Sequence, residues 1–403
     1  MVLPNLQTAE ARQTLPGLLD VSDDALRAWL GERGEKPLRA RQIRHWIFQG
    51  GAESFDAMTD LPKALRMQLV EAFVPLASRV AKHLRASDNT HKLLLELRGR
   101  EAEAPAEPTS LNGSAGASPS RKRDVPQLIE CVLIQDEGRR TACISTQVGC
   151  GMGCVFCASG LNGVERNLSV GEIVEQLVRL RNLPDSEALS NRDASAKPQA
   201  TKRLTHIVVM GMGEPLANLD NLLDALEIAT SKDGLGIGAR HITISTVGLP
   251  AKIRQLADLG KQYHLAVSLH APNDELRNRI VPTNDKIGLA AILDAAAYFF
   301  EKTGRQVTYE YVLLAGINDE PAHARELARL LKGRRAHVNL IPFNDVEGLP
   351  YRRPTAESLQ AFTNVLHQSG ISVKVRKRKG SQIDAACGQL RRSVETQKLA
   401  IDN

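Results

Sequence analysis

The stretch Cys143-Ile-Ser-Thr-Gln-Val-Gly-Cys150-Gly-Met-Gly-Cys154-Val-Phe-Cys157 opens a long alternation of apolar runs and amphipathic segments. Downstream of it, strand-like runs fall at 205–210, 241–246, 264–269, 307–314, 337–341 and 371–375. Helical periodicity covers 171–181, 219–229, 286–301, 322–332 and 356–368, between most of them. Repeated strand–helix units imply a mainly parallel sheet with helices on its faces. So many units predict an α/β fold, a partial or nearly closed (β/α) barrel. In such a fold the working residues stand at the C-terminal ends of the strands.

Upstream, residues 18–80 read differently. Apolar residues recur at helical spacing in Ala25, Trp29 and Leu30, in Ile43, Trp46 and Ile47, and in Leu61, Leu65 and Leu69. Asp23 and Asp24 are candidate caps of the first helix, and Pro62 suits the first turn of the third. Lys36, Arg39, Arg41 and Arg44 make either a solvated face or an RNA contact. The runs HKLLLEL (91–97) and LIECVLI (128–134) read as partner strands. Between them, EAEAPAEPTSLNGSAGASPS (101–120) has the composition of a disordered insertion, and 184–203 reads as a second, polar insertion. The expected organisation is a small helical domain at 1–85, adapter strands at 86–139, a barrel at 140–390 and a tail at 391–403.

Bulk composition narrows the class. The chain has 403 residues, 42% hydrophobic and 24% charged, as in ordinary globular proteins. A net charge of +6 permits a nucleic-acid partner without requiring one. The first residues lack the basic start and apolar run of a signal peptide, and no run approaches the ~18 apolar residues of a membrane span, so a cytoplasmic protein is expected. Six cysteines are too few for a disulfide scaffold in a chain this long, and four of them cluster between 143 and 157.

Cys150, Cys154 and Cys157 stand at C-x3-C-x2-C spacing. Three thiolates hold a [4Fe–4S] cube with one iron left open to a chelating ligand. Gly149, Gly151 and Gly153 let the loop fold closely around it. Zinc and buried thiols are the alternatives, although a structural zinc site normally shows four ligands. Gly211-Met-Gly213-Glu214-Pro215 follows the strand-like HIVVM, where two glycines permit close backbone approach. Ser245, Ser268, His270 and Asn344 each end or follow a predicted strand and outline a polar cup. Cys131 reads as a buried small hydrophobe, and Cys387 alone reads equally as that or as a nucleophile.

The cysteine spacing after the first barrel strand resembles the radical S-adenosylmethionine (SAM) superfamily. The ordered segments RARQIRHWIF, CISTQVGCGMGCVFCASG, GMGEPLANLD, SLHAPND, NLIPFN and DAACGQL, spread over residues 39–390, resemble the RlmN family, which methylates C2 of adenine in RNA. The resemblance implies a [4Fe–4S] cluster on Cys150, Cys154 and Cys157 that cleaves SAM reductively to a 5′-deoxyadenosyl radical. It implies that Cys387 is first methylated by SAM, that the radical withdraws hydrogen from this S-methyl group, and that the carbon adds to adenine C2. Cys143 would then attack the Cys387 sulfur, releasing the base and leaving a disulfide for external reduction. Glu130 would assist proton removal at C2, and Gly213, Glu214, Ser245, Ser268, Leu269, His270 and Asn344 would surround SAM. The implied partners are 23S rRNA, tRNA and an external electron donor, and the expected state is a monomer. A related class methylates C8 instead and usually has Ala at the place of Pro215. Lys379 and Gln382 depart from the family's usual Arg and Asp. The basic run Lys374, Arg376, Lys377, Arg378 and Lys379 just before Cys387 suits phosphate contacts.

Overall fold

The computed structural model describes residues 15–98, 126–136, 138–184 and 203–391. The expected insertions at 101–120 and 184–203 and the tail at 391–403 lie outside these residues, except for residues 184, 203 and 391. The first α-helices among the described residues are α1 (Asp23–Gly31), α2 (Leu38–Phe48) and α3 (Lys63–Ala72). The cap of α1 is Ser22, whose side chain accepts from the Ala25 N–H, and not Asp23 or Asp24. Those aspartates occupy the first turn, where their charge still meets the positive end of the helix. Leu26, Leu30, Ile43, Ile47, Leu65 and Leu69 face inward and join the apolar core of the whole chain.

A ten-stranded sheet follows. Strands β1 (Arg79–Arg85), β2 (His91–Leu97), β3 (Gln127–Asp136) and β4 (Arg139–Cys143) pair in order and antiparallel. A small hairpin, β5 (Gln147–Gly149) with β6 (Val164–Asn167), flanks the cysteine loop. Helix α4 (Val170–Asn182) then leads back toward the sheet. From β4 the sheet continues in parallel through β7 (His206–Val209), β8 (Ile242–Thr246), β9 (His264–Ser268), β10 (Val307–Leu313), β11 (Ala336–Pro342) and β12 (Ser372–Val375). Helices α5 (Leu219–Thr230), α6 (Pro250–Asp258), α7 (Asp274–Ile280), α8 (Leu289–Thr303), α9 (Pro321–Leu331) and α10 (Ala356–Gln368) connect these strands. Among the described residues no strand pair joins the two ends of the sheet.

Local chemistry explains the boundaries. Ser169 and Glu172 form a capping box at the start of α4, and Glu172 also takes a two-pronged contact from Arg166 at 2.7 and 2.8 Å. The helix expected from 286 starts at Leu289, because 282–286 forms a short 3-10 turn and Gly288 at φ 75° intervenes. Strand 242–246 buries alternate residues against the helices, which leaves Thr243 and Ser245 facing the barrel interior. No helix among the described residues is long and apolar enough to cross a membrane.

Candidate active site

The loop after β4 carries Cys150, Cys154 and Cys157 to the C-terminal rim of the parallel strands. Gly149 at φ 82° and Gly153 at φ 67° adopt the left-handed backbone that this turn requires. All three thiols line one open pocket of about 890 Å³, open solvent included, together with Gly213, Glu214, Ser245, Ser268, His270, Asn344, Glu310 and Arg376. Burial raises the affinity of each thiol for its proton, up to about 12 for Cys150, and repulsion from neighbouring thiols adds to it. Such a set ionises only when positive charge arrives, as when thiols take up a metal. No three His, Cys, Asp or Glu side chains among the described residues converge tightly enough for a single ion. A cube spreads its thiolates over separate iron corners, so three thiols on one cavity wall fit that group.

The rest of the rim is held firmly. Gly213 sits at φ 104°, and a Cβ there would meet Gln147 Cβ at 2.7 Å and the Gln147 backbone nitrogen at 2.8 Å. Glu214, 2% exposed, accepts from Leu216 N–H at 3.0 Å and Val247 N–H at 2.8 Å. Burial raises its pKa, and these hydrogen bonds oppose the rise. Ser245 and Ser268 bring their hydroxyls to 3.5 Å across β8 and β9. His270 stands at φ 61°, and its Nδ1 accepts from Val312 N–H at 3.1 Å, so the neutral ring carries its proton on Nε2. Burial, reinforced by Arg277, lowers its pKa to about 3. Leu269 is buried outside the cavity lining; its N–H bonds Glu310 O at 3.0 Å and its carbonyl takes Arg277 Nε at 2.9 Å.

A second cavity, an open pocket of about 710 Å³ with open solvent included, adjoins the first and is lined by Cys143, Arg353, Arg376, Lys377, Arg378 and Lys379. Cys387 lines both. Its loop folds over the barrel mouth: Ala158 N–H donates to Gly388 O at 2.8 Å, Ser159 Oγ to Leu390 O at 2.7 Å and Asn344 Nδ2 to Cys387 O at 3.1 Å. Burial drives the Cys143 thiol up to about 12, with Cys387 adding to the rise and Arg376 opposing it. Cys131 lines neither cavity and is fully buried. Glu130 also lines neither; it is buried, 2.8 Å from Lys92 Nζ, and accepts from Arg391 N–H at 2.9 Å. Lys379 meets Asp136 at 3.3 Å, and Gln382 accepts from Ser87 N–H and Oγ at 3.2 and 2.9 Å.

Three charged residues in this region escaped the motif search. Arg277 lies behind the rim and donates to Leu269 O, Val247 O, Ser268 O and Asn284 Oδ1. Glu310 faces the first cavity from β10, bonded by Asn339 Nδ2 at 2.8 Å. Lys92 is the partner of Glu130. An acidic residue within VTYEYVL and a lysine within HKLLLEL are the available sequence signals: charges inside apolar strands.

A parallel (β/α) sheet with three thiols and a polar cup at its C-terminal rim defines a radical SAM enzyme, and residues 144–328 match the Radical SAM superfamily. Residues 17–74 match the ribosomal RNA large subunit methyltransferase N-terminal domain. The chain belongs to the RlmN family of radical SAM methyltransferases. It is 49% identical over 395 residues to the "Probable dual-specificity RNA methyltransferase RlmN" of Rhodopirellula baltica, covering 97% of this chain and 95% of the relative. Its identity to "RlmN 3" of Opitutus terrae is 44%, with 96% and 97% covered. The crystal structure of a radical SAM methyltransferase from Sphaerobacter thermophilus superposes at a TM-score of 0.79 and 39% identity, over 93% of this chain and 99% of that one.

Proposed function

We propose that the chain adds a methyl group to C2 of an adenine in 23S rRNA and of an adenine in tRNA, with Cys387 carrying the carbon. One observation supports this above the others: Cys387 faces both the cavity of the three thiols and the cavity of Cys143 and five cationic side chains. The first cavity suits the [4Fe–4S] cluster and SAM, the second a nucleotide whose phosphates meet Arg353, Lys377, Arg378 and Lys379. When bound, the cluster and SAM supply one electron and a 5′-deoxyadenosyl radical. Cys150, Cys154 and Cys157 hold the cluster. Gly213, Glu214, Ser245, Ser268, Leu269, His270 and Asn344 form or back the SAM cup.

Adenine C2 is an electron-poor ring carbon that does not attack a sulfonium methyl as an amine does. Cys387 would overcome this by taking the methyl group on sulfur with loss of its thiol proton; with the cluster and SAM bound, that methyl would give up a hydrogen atom to the radical, its carbon would bond to C2, and one electron would return to the oxidised cluster. Glu130, buried beyond the cavity lining, would assist removal of the C2 proton. Cys143, as a thiolate, attacks Cys387 Sγ; the S–C bond breaks, the released carbon takes up a proton to become the methyl group on C2, and a disulfide is left. External reduction returns both thiols. Arg376, beside both cysteines, stabilises negative charge on either sulfur. The target adenine leaves its stack to reach the second cavity. Six free thiols are in keeping with the cytoplasm.

The test is anaerobic reconstitution with iron, sulfide, reductant, SAM and 23S rRNA or tRNA fragments, followed by mass spectrometry of nucleosides against C2- and C8-methyladenosine standards. The C2 product is expected from both RNAs. Dominant C8 product, or no methylation with a reducible cluster in place, contradicts the reading.

A further inference from the structure

A buried ion pair lies outside both cavities. Lys92 on β2 and Glu130 on β3 have side chains each 7% exposed, with Nζ 2.8 Å from Oε1. The ladder pairs Lys92 with Val132 and Val132 with Cys143, so these three share one face of the sheet. Glu130, two residues before Val132 on the same strand, shares that face. Burying two charges is costly, and an ion pair of this kind adds little stability over well-packed apolar residues. Its other bonds suggest why the charges are there. Lys92 Nζ also donates to Asp384 O at 3.1 Å, and Arg391 N–H donates to Glu130 Oε2 at 2.9 Å. Asp384 and Arg391 bracket Cys387, so both ends of its loop are fastened to this one pair.

We propose that Lys92 is a positioning residue for methyl transfer: a single ammonium sets the Glu130 carboxylate and the Cys387 loop against each other and keeps that carboxylate able to accept a proton. The inference rests on the roles proposed above for Cys387 and Glu130. The charged groups acting on Glu130 are Lys92 from β2 and Arg391 from the C-terminal segment. Arg391 is itself shared with Glu347 at 3.2 Å and Asp384 at 3.9 Å. Cys131, the next residue on β3, points to the opposite face. Burial favours protonated Glu130 and the two cations oppose it. Without Lys92, burial gains and the carboxylate holds its proton to higher pH. The Asp384 carbonyl loses its donor at the same time.

The experiment uses the reconstituted full-length enzyme with SAM and a 23S rRNA fragment, comparing wild type, K92M, K92R and K92M/E130Q. It reads methylated adenine per 5′-deoxyadenosine released, the acid limb of product formation against pH, and amide hydrogen exchange across 384–391. K92M is expected to cleave SAM at near the wild-type rate but to give about tenfold less product per cleavage, to accumulate an enzyme–RNA adduct, and to shift the acid limb upward. Exchange across 384–391 should quicken. K92R, which keeps the charge, should restore the acid limb. K92M/E130Q removes both charges and carries the test where K92M does not fold: it should be stable and still poor in product. An unmoved acid limb with full coupling in K92M, or full product from K92M/E130Q, overturns the proposal. Failure of the wild type to methylate, or product from C387A, strikes the reading of the site instead.

Discussion

Gly213 and Arg277 show how the polar cup is held from behind. An alanine at 213 adds a methyl group 2.7 Å from Gln147 Cβ on a backbone at φ 104°. G213A is expected to cost about 1–3 kcal/mol and to weaken SAM binding, measured by urea unfolding and anaerobic calorimetry. Arg277 satisfies four acceptors around the ends of β8 and β9. R277M strands these buried groups and should lose roughly 3 kcal/mol or more in the same unfolding experiment. His270 makes a pH-dependent contribution. Its folded pKa of about 3 lies below the ordinary value of 6.5, so the unfolded chain binds the extra proton. The contribution of neutral His270 is therefore complete above pH ~6.5 and is lost as pH falls toward ~3, with a slope of up to about 1.4 kcal/mol per pH unit. H270N should flatten stability against pH over that window, and an unchanged profile contradicts the assignment.

Among the elements, α4 sits between the cysteine loop and the N-terminal helices, since Asp20 Oδ1 accepts from Gly171 N–H at 2.9 Å. S169A breaks its capping box and is expected to cost about 1 kcal/mol in urea unfolding. The longer elements were legible in the sequence. Strands such as 264–268 are short apolar runs followed by helical periodicity, and the physics of burial writes both patterns directly. The helices at 250–258 and 274–280 were not, because nine and seven residues hold too few turns to show a stripe. Strand β1 escaped because only Ala81 and Leu84 are partly covered, so it lacks an apolar face. The three thiols and the GMGEP turn were legible because each motif is local. Lys92, Arg277 and Glu310 were not, because their partners lie on other strands and loops that only the fold brings together.

Across the whole molecule, two cavities meet at Cys387, one cupped by thiols and hydroxyls, the other rimmed by positive charge. If that rim carries RNA phosphates, K377Q should lower the slope of log affinity against log salt by about one, nearly independent of RNA sequence. Filter binding over a range of potassium chloride concentrations measures it, and an unchanged slope removes Lys377 from the interface. The N-terminal helices share one apolar core with the parallel sheet, so they and the two cavities are parts of one packed body. The most direct measurement is tandem mass spectrometry of the Cys387 peptide after the reconstituted enzyme has been given SAM alone. The account predicts an added methyl group on Cys387 sulfur, and no methylated RNA from C387A. An unmodified Cys387 in enzyme that goes on to methylate adenine would contradict it.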